Sequence, residues 1–431
     1  MYLDVYGDTL CALVSATALA SAGNQVFLHV PEGTIGKQLA RGECPYREPG
    51  LADMMAEQSQ EGRLVLSAMD VPPAQQSKVI WLALSPDAIY LAHSIVSSLP
   101  SNKAHQWLVV NQSTFPVGSS EELQQALATH EAEGSTGSAV VSLPDLLTEG
   151  DALQGFMRAG SWLLGADVEW ARLLVAELLR PFNRRKDSIQ HMRPREAEFT
   201  KLAITGMLAT RLSYMNDMAN LADSLDVDIE RVRFGMGADK RIGEAYLYPG
   251  CGFGGLSFSR DVMSLASTLQ VSGMQAQLLD EVLHINERQK EALFRKLWRH
   301  YGTSLRGRRV AIWGAAFKPE SSRIDNSPVL KLLEALWAQG VEVHVHDPRA
   351  LRALADWAGE REDLVLHTDP YEAVVGADAL MLVTEWKTYW SPDLLRLKMN
   401  MSSPLLLDGR NVWDPAFIKQ SGFEYYGIGR R

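Results

Sequence analysis

The stretch Tyr246–Asp261, YLYPGCGFGGLSFSRD, places Gly250, Gly252, Gly254 and Gly255 within six residues and closes on Ser257, Arg260 and Asp261. So many glycines break helix and strand alike. The segment therefore reads as a loop whose backbone turns sharply or passes very close to something. Taken alone, such a loop is a tight connection between two helices. Its flanks argue for more: Ala238-Asp239-Lys240-Arg241-Ile242-Gly243 precedes it, and a long helical pattern opens at Asp261.

A chain of 431 residues exceeds one ordinary domain, so two or three are expected. With 46% hydrophobic and 22% charged residues the composition is globular. The net charge of −10, without a long basic run, argues against nucleic acid or an anionic membrane as the main partner. Cys11, Cys44 and Cys251 are too scattered for a disulfide framework or a zinc site, no metal is expected, and a reducing cytoplasm suits them. The apolar run from Leu10 to Gly23 could pass for a secretory leader. Asp4 and Asp8 precede it without a Lys or Arg, the wrong charge for that role. No stretch is long enough to span a bilayer. A cytoplasmic protein is the expectation.

Away from the glycine loop the pattern is α/β. Tyr2–Tyr6 reads as a strand, Leu10–Ala22 as an Ala-rich helix and Val26–Val30 as a second strand. In a dinucleotide-binding fold the turn between them reads G-x-G-x-x-G, because glycines let a pyrophosphate sit on backbone amides at the helix N-terminus. Here it reads Gly7-Asp8-Thr9-Leu10-Cys11-Ala12. Gly7 is kept and Ala12 is tolerable, but Thr9 puts a branched side chain where bare backbone is needed and Asp8 adds negative charge. The acid expected at the end of the second strand, for the adenosine ribose, is displaced to Glu32, two residues late. Further strands read at Val79–Leu84 and Leu108–Asn111. Apolar residues recur at helical spacing from Arg195 to about Leu225 and from about Leu279 to His300. A second βαβ unit opens at Arg309–Gly314.

The run GADKRIG…YLYPGCGFGGLSFSRD resembles the substrate loop of the UDP-glucose/GDP-mannose dehydrogenase family, D-x-R-I-G…P-G-x-G-[FY]-G-G-S-C-F-x-K-D. The nucleophilic Cys of that pattern is Ser257 here, its Lys is Arg260, and Asp261 is retained. The likeness covers essentially the whole chain. Gly42–Leu51 matches G-x-x-P-x-x-E-P-G-L, a motif that reads as structural, and Ser113–Gly118 matches S-T-V-P-V-G. Leu143–Gly150 stands where N-P-E-F-L-x-E-G is expected, with Phe317-Lys318-Pro319 and Asp408-Gly409-Arg410-Asn411 following the family's second α/β half. The resemblance implies two Rossmann-like, doubly wound parallel-sheet domains joined by a central helical domain, with boundaries at 1–190, 191–300 and 301–431.

The resemblance also assigns roles. The catalytic positions become Ser257, Lys201, Asp261, Thr114, Asp145 (for the family's Glu) and Thr205 (for its Asn). The substrate positions become Glu149, Arg241, Tyr246, Gly250, Phe253, Gly254, Arg260, Phe317, Lys318 and Arg410. Gly7, Thr9, Ala12, Glu32 and Asp325 face the family's cofactor, NAD. Asp325 replaces an Arg that approaches the phosphates, unless Arg323 reaches over in its stead. Family members oxidise the C6 alcohol of a UDP- or GDP-sugar to a carboxylate through a cysteine thioester. Serine is a much weaker nucleophile unless a base activates it, and Cys251 reads as packing.

Three readings follow. In the first, the chain is a catalytically impaired relative that still binds a UDP-glucose-like nucleotide sugar, with NAD binding doubtful. In the second, it is an active NAD-dependent UDP-glucose 6-dehydrogenase, and in the third a vestigial structural subunit. The D-x-R-I-G stretch leans towards the UDP-glucose branch, and relatives pair through the central helix, so a homodimer is expected.

Overall fold

The strands Val79–Leu82, Leu108–Asn111, Ala139–Ser142 and Trp162–Gly165 are buried at every position. A strand apolar on both sides needs helices above and below it, and that requirement selects a covered parallel sheet. Each fully buried Val, Ile or Leu contributes about 2 kcal/mol to holding such a sheet. The computed structural model, which describes residues 1–100, 106–129, 137–183, 188–302 and 304–431, contains two sheets of this kind.

In the first sheet the strands are β1 (Tyr2–Tyr6), β2 (Gln25–Val30), β3 (Leu64–Ala68), β4 (Val79–Leu82), β5 (Leu108–Asn111), β6 (Ala139–Ser142), β7 (Trp162–Gly165) and β8 (Ile189–Met192). Their spatial order is β3-β2-β1-β4-β5-β6-β7-β8, parallel throughout except for a single antiparallel bridge between Ser142 of β6 and Gly165 of β7. The order reverses between β1 and β4, which creates a crevice at their carboxyl ends. The second sheet holds β9 (Arg309–Trp313), β10 (Glu342–His346), β11 (Leu364–His367), β12 (Ala379–Leu382), β13 (Leu405–Asp408) and β14 (Glu424–Tyr426). Its order, β11-β10-β9-β12-β13-β14, repeats the same switch between β9 and β12.

The described residues form two compact units, Met1–Ala203 and Ile204–Arg431. The expected central helical segment therefore shares a unit with the second sheet, and the long helix Pro194–Leu225 supplies residues to both units. The leader-like run is the first helix, Leu10–Ser21, buried from Cys11 through Ala20. A helix apolar all round belongs in a core. The single helix expected from Leu279 to His300 is two, Gln277–Gln289 and Ala292–His300. Its break falls at Lys290 and Glu291, where the chain turns its last polar side chains toward the glycine loop.

The motif Gly42–Leu51 acts through Glu48. Its carboxylate is buried and accepts from the backbone N–H of Gly150 and of Ala152, both at 2.7 Å, closing the N-terminus of the short helix Ala152–Met157. Those amides have no intrahelical partner, so the acid satisfies donors that would otherwise be buried and unpaired. Replacing Glu48 by Ala should destabilise the first unit by about 2–3 kcal/mol, checked by chemical denaturation. Glu48→Gln, which keeps one acceptor, should lose less.

Candidate active site

Four residues of the glycine loop, Gly250, Cys251, Phe253 and Gly255, are held by a side-chain amide or by another backbone segment of the second unit. Gly250 N donates to Asn216 Oδ1 at 2.8 Å, and its carbonyl accepts from Gln289 Nε2 at 2.8 Å. Cys251 N donates to the Gly409 carbonyl at 2.9 Å. Asn286 serves Phe253 twice, accepting from its N–H at 2.8 Å and donating to its carbonyl at 3.1 Å. Gly255 N donates to the Asp325 carbonyl at 2.8 Å. Glycine is required where backbone meets backbone. A Cβ on Gly254 would stand 2.6 Å from the Asn326 oxygen, and one on Gly255 2.8 Å from the Phe317 ring. Beneath the loop Lys290 is buried, its ammonium bonded to Glu287 and Asn326, while Asn326 Nδ2 donates to Ser259 Oγ at 2.8 Å. Burial lowers the Lys290 pKa.

The loop runs straight into the helix Leu256–Val271, five residues earlier than the sequence pattern indicates. Ser257 is exposed on its first turn, and Asp261 is buried one turn on. Phe258 stands between Phe253, edge-on at 5.1 Å, and Tyr246, stacked at 6.5 Å. Tyr246 itself adopts φ +58°, a strained value for a bulky residue. Arg260 is half-buried and its Nε has no hydrogen-bond partner. Lys318 Nζ lies 5.5 Å from the Phe317 ring centre. Arg410 Nε donates to the Val383 carbonyl at 2.7 Å and pairs with Glu385 at 3.1 Å. Asp325 is paired at 2.8 Å with Arg323, so the one arginine near the lost one is turned onto the acid that replaced it. Arg241 is exposed and bonded to Asp239. Its loop is fixed by Arg211, which donates to the carbonyls of Ile242 and Gly243. Thr205 is buried, and Cys251 is buried with its Sγ toward the Val383 carbonyl, its pKa raised by that burial.

Lys201, Thr114, Asp145 and Glu149 belong to the first unit. Thr114 is half-buried beyond β5. Asp145 accepts from Leu147 N at 2.8 Å; burial raises its pKa, against the pull of Lys201. At the β1 turn, Gly7 has φ +141°, and a Cβ there would lie 2.3 Å from the Ala83 oxygen. Thr9 is the N-cap of the first helix. Its Oγ1 accepts from Ala12 N at 3.1 Å and donates to the Ala83 carbonyl at 2.8 Å. The Tyr46 hydroxyl donates to the Asp8 carbonyl at 2.9 Å. Val30 is buried, whereas Glu32 lies exposed beyond the end of β2.

Sequence and fold comparisons agree on what carries these features. Family models match residues 1–183 (UDP-glucose/GDP-mannose dehydrogenase family, NAD binding domain), 195–288 (central domain) and 311–415 (UDP binding domain). The chain belongs to the UDP-glucose/GDP-mannose dehydrogenase family. It is 39% identical to the UDP-glucose 6-dehydrogenase of Pseudomonas aeruginosa over 100% of this chain and 98% of the relative. Against the UDP-glucose 6-dehydrogenase TuaD of Bacillus subtilis the figures are 31%, 99% and 92%. A solved UDP-glucose dehydrogenase from Pyrobaculum islandicum superposes with a TM-score of 0.86 at 26% identity, covering 100% of this chain and 98% of that one.

Within that family the departures of this chain are local. The residues at the β1 turn do not fit the family's dinucleotide. The amide of Ala12 is already bonded to Thr9, and the side chain of Val30 offers the ribose no acceptor. Among the described residues no group of three or more His, Cys, Asp or Glu is set to hold a metal ion, and no helix is long and apolar enough to cross a membrane.

Reasoning from sequence missed the amides that hold the loop, Asn216, Asn286, Gln289 and Asn326, and the buried Lys290. Their signal was faint: Asn216, Asn286 and Gln289 are polar residues at core-facing positions of helices, and Lys290 and Asn326 lie at a helix end and in a turn, all visible only once the loop's own needs were counted. Removing the doubly bonded amide by Asn286→Ala should cost the second unit about 1–3 kcal/mol. It should also speed hydrogen exchange at the Phe253 amide, read by mass spectrometry, with the first unit's exchange unchanged.

Proposed function

We propose that the chain binds a UDP-glucose-like nucleotide sugar on the glycine loop of its second unit and carries little or no dehydrogenase activity, acting in the cytoplasm in polysaccharide metabolism. The observation that carries this reading is Ser257, an exposed hydroxyl on the first helical turn where the family presents its thiol. A thioester requires a nucleophile that ionises readily and is then a good leaving group, and a serine hydroxyl does neither without a strong base. The loop supports the binding half of the proposal, because it is held as rigidly as a recognition loop needs to be.

The reading of the chain as an active UDP-glucose 6-dehydrogenase is favoured by the full-length 39% identity to such an enzyme. The two are separated by mixing the protein with NAD and UDP-glucose and following absorbance at the NADH band: no NADH is expected. In thermal-shift measurements UDP-glucose should raise the melting temperature. Absence of a shift with any uridine or guanosine nucleotide would favour a vestigial subunit instead. Ser257→Cys should gain a thiol that reacts with maleimide but no turnover, and robust NADH production by that variant would overturn the impaired reading.

The assembly we propose is a homodimer through the central helix. Met207, Tyr214 and Leu221 recur at seven-residue spacing and are 62%, 50% and 48% exposed. A stripe of that kind along one helix face is sealed by a partner helix. The exposed Arg241 would then lie near the neighbouring subunit's site. Sedimentation should give twice the chain mass, and Tyr214→Glu should halve it.

A further inference from the structure

The family's dinucleotide would lie with its pyrophosphate over the β1 turn, in the crevice where the sheet order reverses between β1 and β4. A phosphate oxygen there performs one task for the protein: it accepts from the amides at the helix N-terminus, which have no other partner. In this chain the Thr9 hydroxyl accepts from Ala12 N and, with its own proton, reaches across the crevice to the Ala83 carbonyl just beyond β4. The same backbone is approached from outside by Tyr46, whose hydroxyl donates to the Asp8 carbonyl.

The inner side of the turn is tied as well. Cys11, on the first helical turn, is buried near Asp145, and that burial raises its thiol pKa. Ser15 Oγ donates to Gln112 Oε1 at 2.7 Å, and Trp81 Nε1 of β4 donates to the same oxygen at 2.6 Å. Ser15, Gln112 and Trp81 are all essentially inaccessible. A polar chain thus runs from Ser15 of the first helix to the carboxyl end of β5 and to β4. Satisfied buried networks of this kind rigidify what they join.

We infer that the first unit is internally liganded: the Thr9 hydroxyl stands in for the dinucleotide's phosphate oxygen, while the Tyr46 bond and the Ser15–Gln112–Trp81 bonds hold the turn and its helix around it. This deepens the functional reading above, on which it rests for the family's cofactor class. The replacement at residue 9 is thus built into the structure of the turn and is not a bare loss.

The test is binding, not turnover. NADH fluorescence titration and calorimetry with ADP-ribose should give no saturable binding for the full-length wild type or for Thr9→Ser, which keeps the hydroxyl. Thr9→Gly combined with Asp8→Asn frees the amide and removes the neighbouring charge; it should bind ADP-ribose at least about tenfold more tightly than Thr9→Ser. Hydrogen exchange gives a reading on the unaltered chain: the Ala12 amide should be protected without ligand, and excess NADH should leave its rate unchanged. The inference is overturned by ordinary tight NADH binding to the wild type or by NADH slowing exchange at Ala12. It is equally overturned if a folded Thr9→Gly/Asp8→Asn protein gains nothing over Thr9→Ser. The UDP-glucose thermal shift of the same variants reports on the second unit alone, so failure there would be failure of the nucleotide-sugar reading and not of this one.

Discussion

The second unit is organised by one steric fact: the backbone of Gly254 lies against the Asn326 carbonyl too closely for any side chain, a Cβ being 2.6 Å from that oxygen. Two loops from distant parts of the chain can approach so nearly only if each is independently fixed. Asn286, Asn216 and Gln289 fix one; the bond from Asn326 to Ser259 and the buried Lys290 tie the other to it. Burying an ammonium group is costly, and Lys290 is tolerated because Glu287 and Asn326 meet it there. Ser257 inherits its position from this arrangement, as the second residue of a helix that opens directly after Gly255.

The two sheets share an order and solve the same local problem differently. In the second sheet the turn after β9 also uses a glycine with positive φ: Gly314, at +98°, whose Cβ would lie 2.4 Å from Thr384. There the free amides of Ala315 and Ala316 are taken by the buried carboxylate of Asp347, at 2.7 and 3.0 Å. In the first sheet a threonine hydroxyl does the work within its own helix, at a strength of about 1 kcal/mol for such a cap. At both turns helix amides are thus met from within the protein, at one by a carboxylate from the neighbouring strand and at the other by the N-cap hydroxyl.

Much of this was legible in the sequence, and the physical reasons for the rest are specific. Strand runs such as VIWL and the glycine loop announce themselves because periodicity and glycine freedom are local properties. The replacement at residue 9 could be read as a misfit, but not that its hydroxyl would satisfy both Ala12 and Ala83, since Ala83 is far along the chain and adjacent only once β1 and β4 pair. The break at Lys290 was invisible for the same reason: nothing local ends that helix, and its cause is a partner at Asn326. Asp145 reads in sequence as a shortened acid; its nearness to Cys11 shows only once the first helix is placed.

The Thr9–Ala83 bond has a thermodynamic corollary. A fold that takes up a ligand has its stability coupled to that ligand's concentration, gaining RT ln(1 + [L]/Kd). A crevice bridged by its own hydroxyl gives up that coupling. On the inference drawn above, the first unit would fold, and resist degradation, to the same extent whether the surrounding nicotinamide pool is full or depleted, oxidised or reduced.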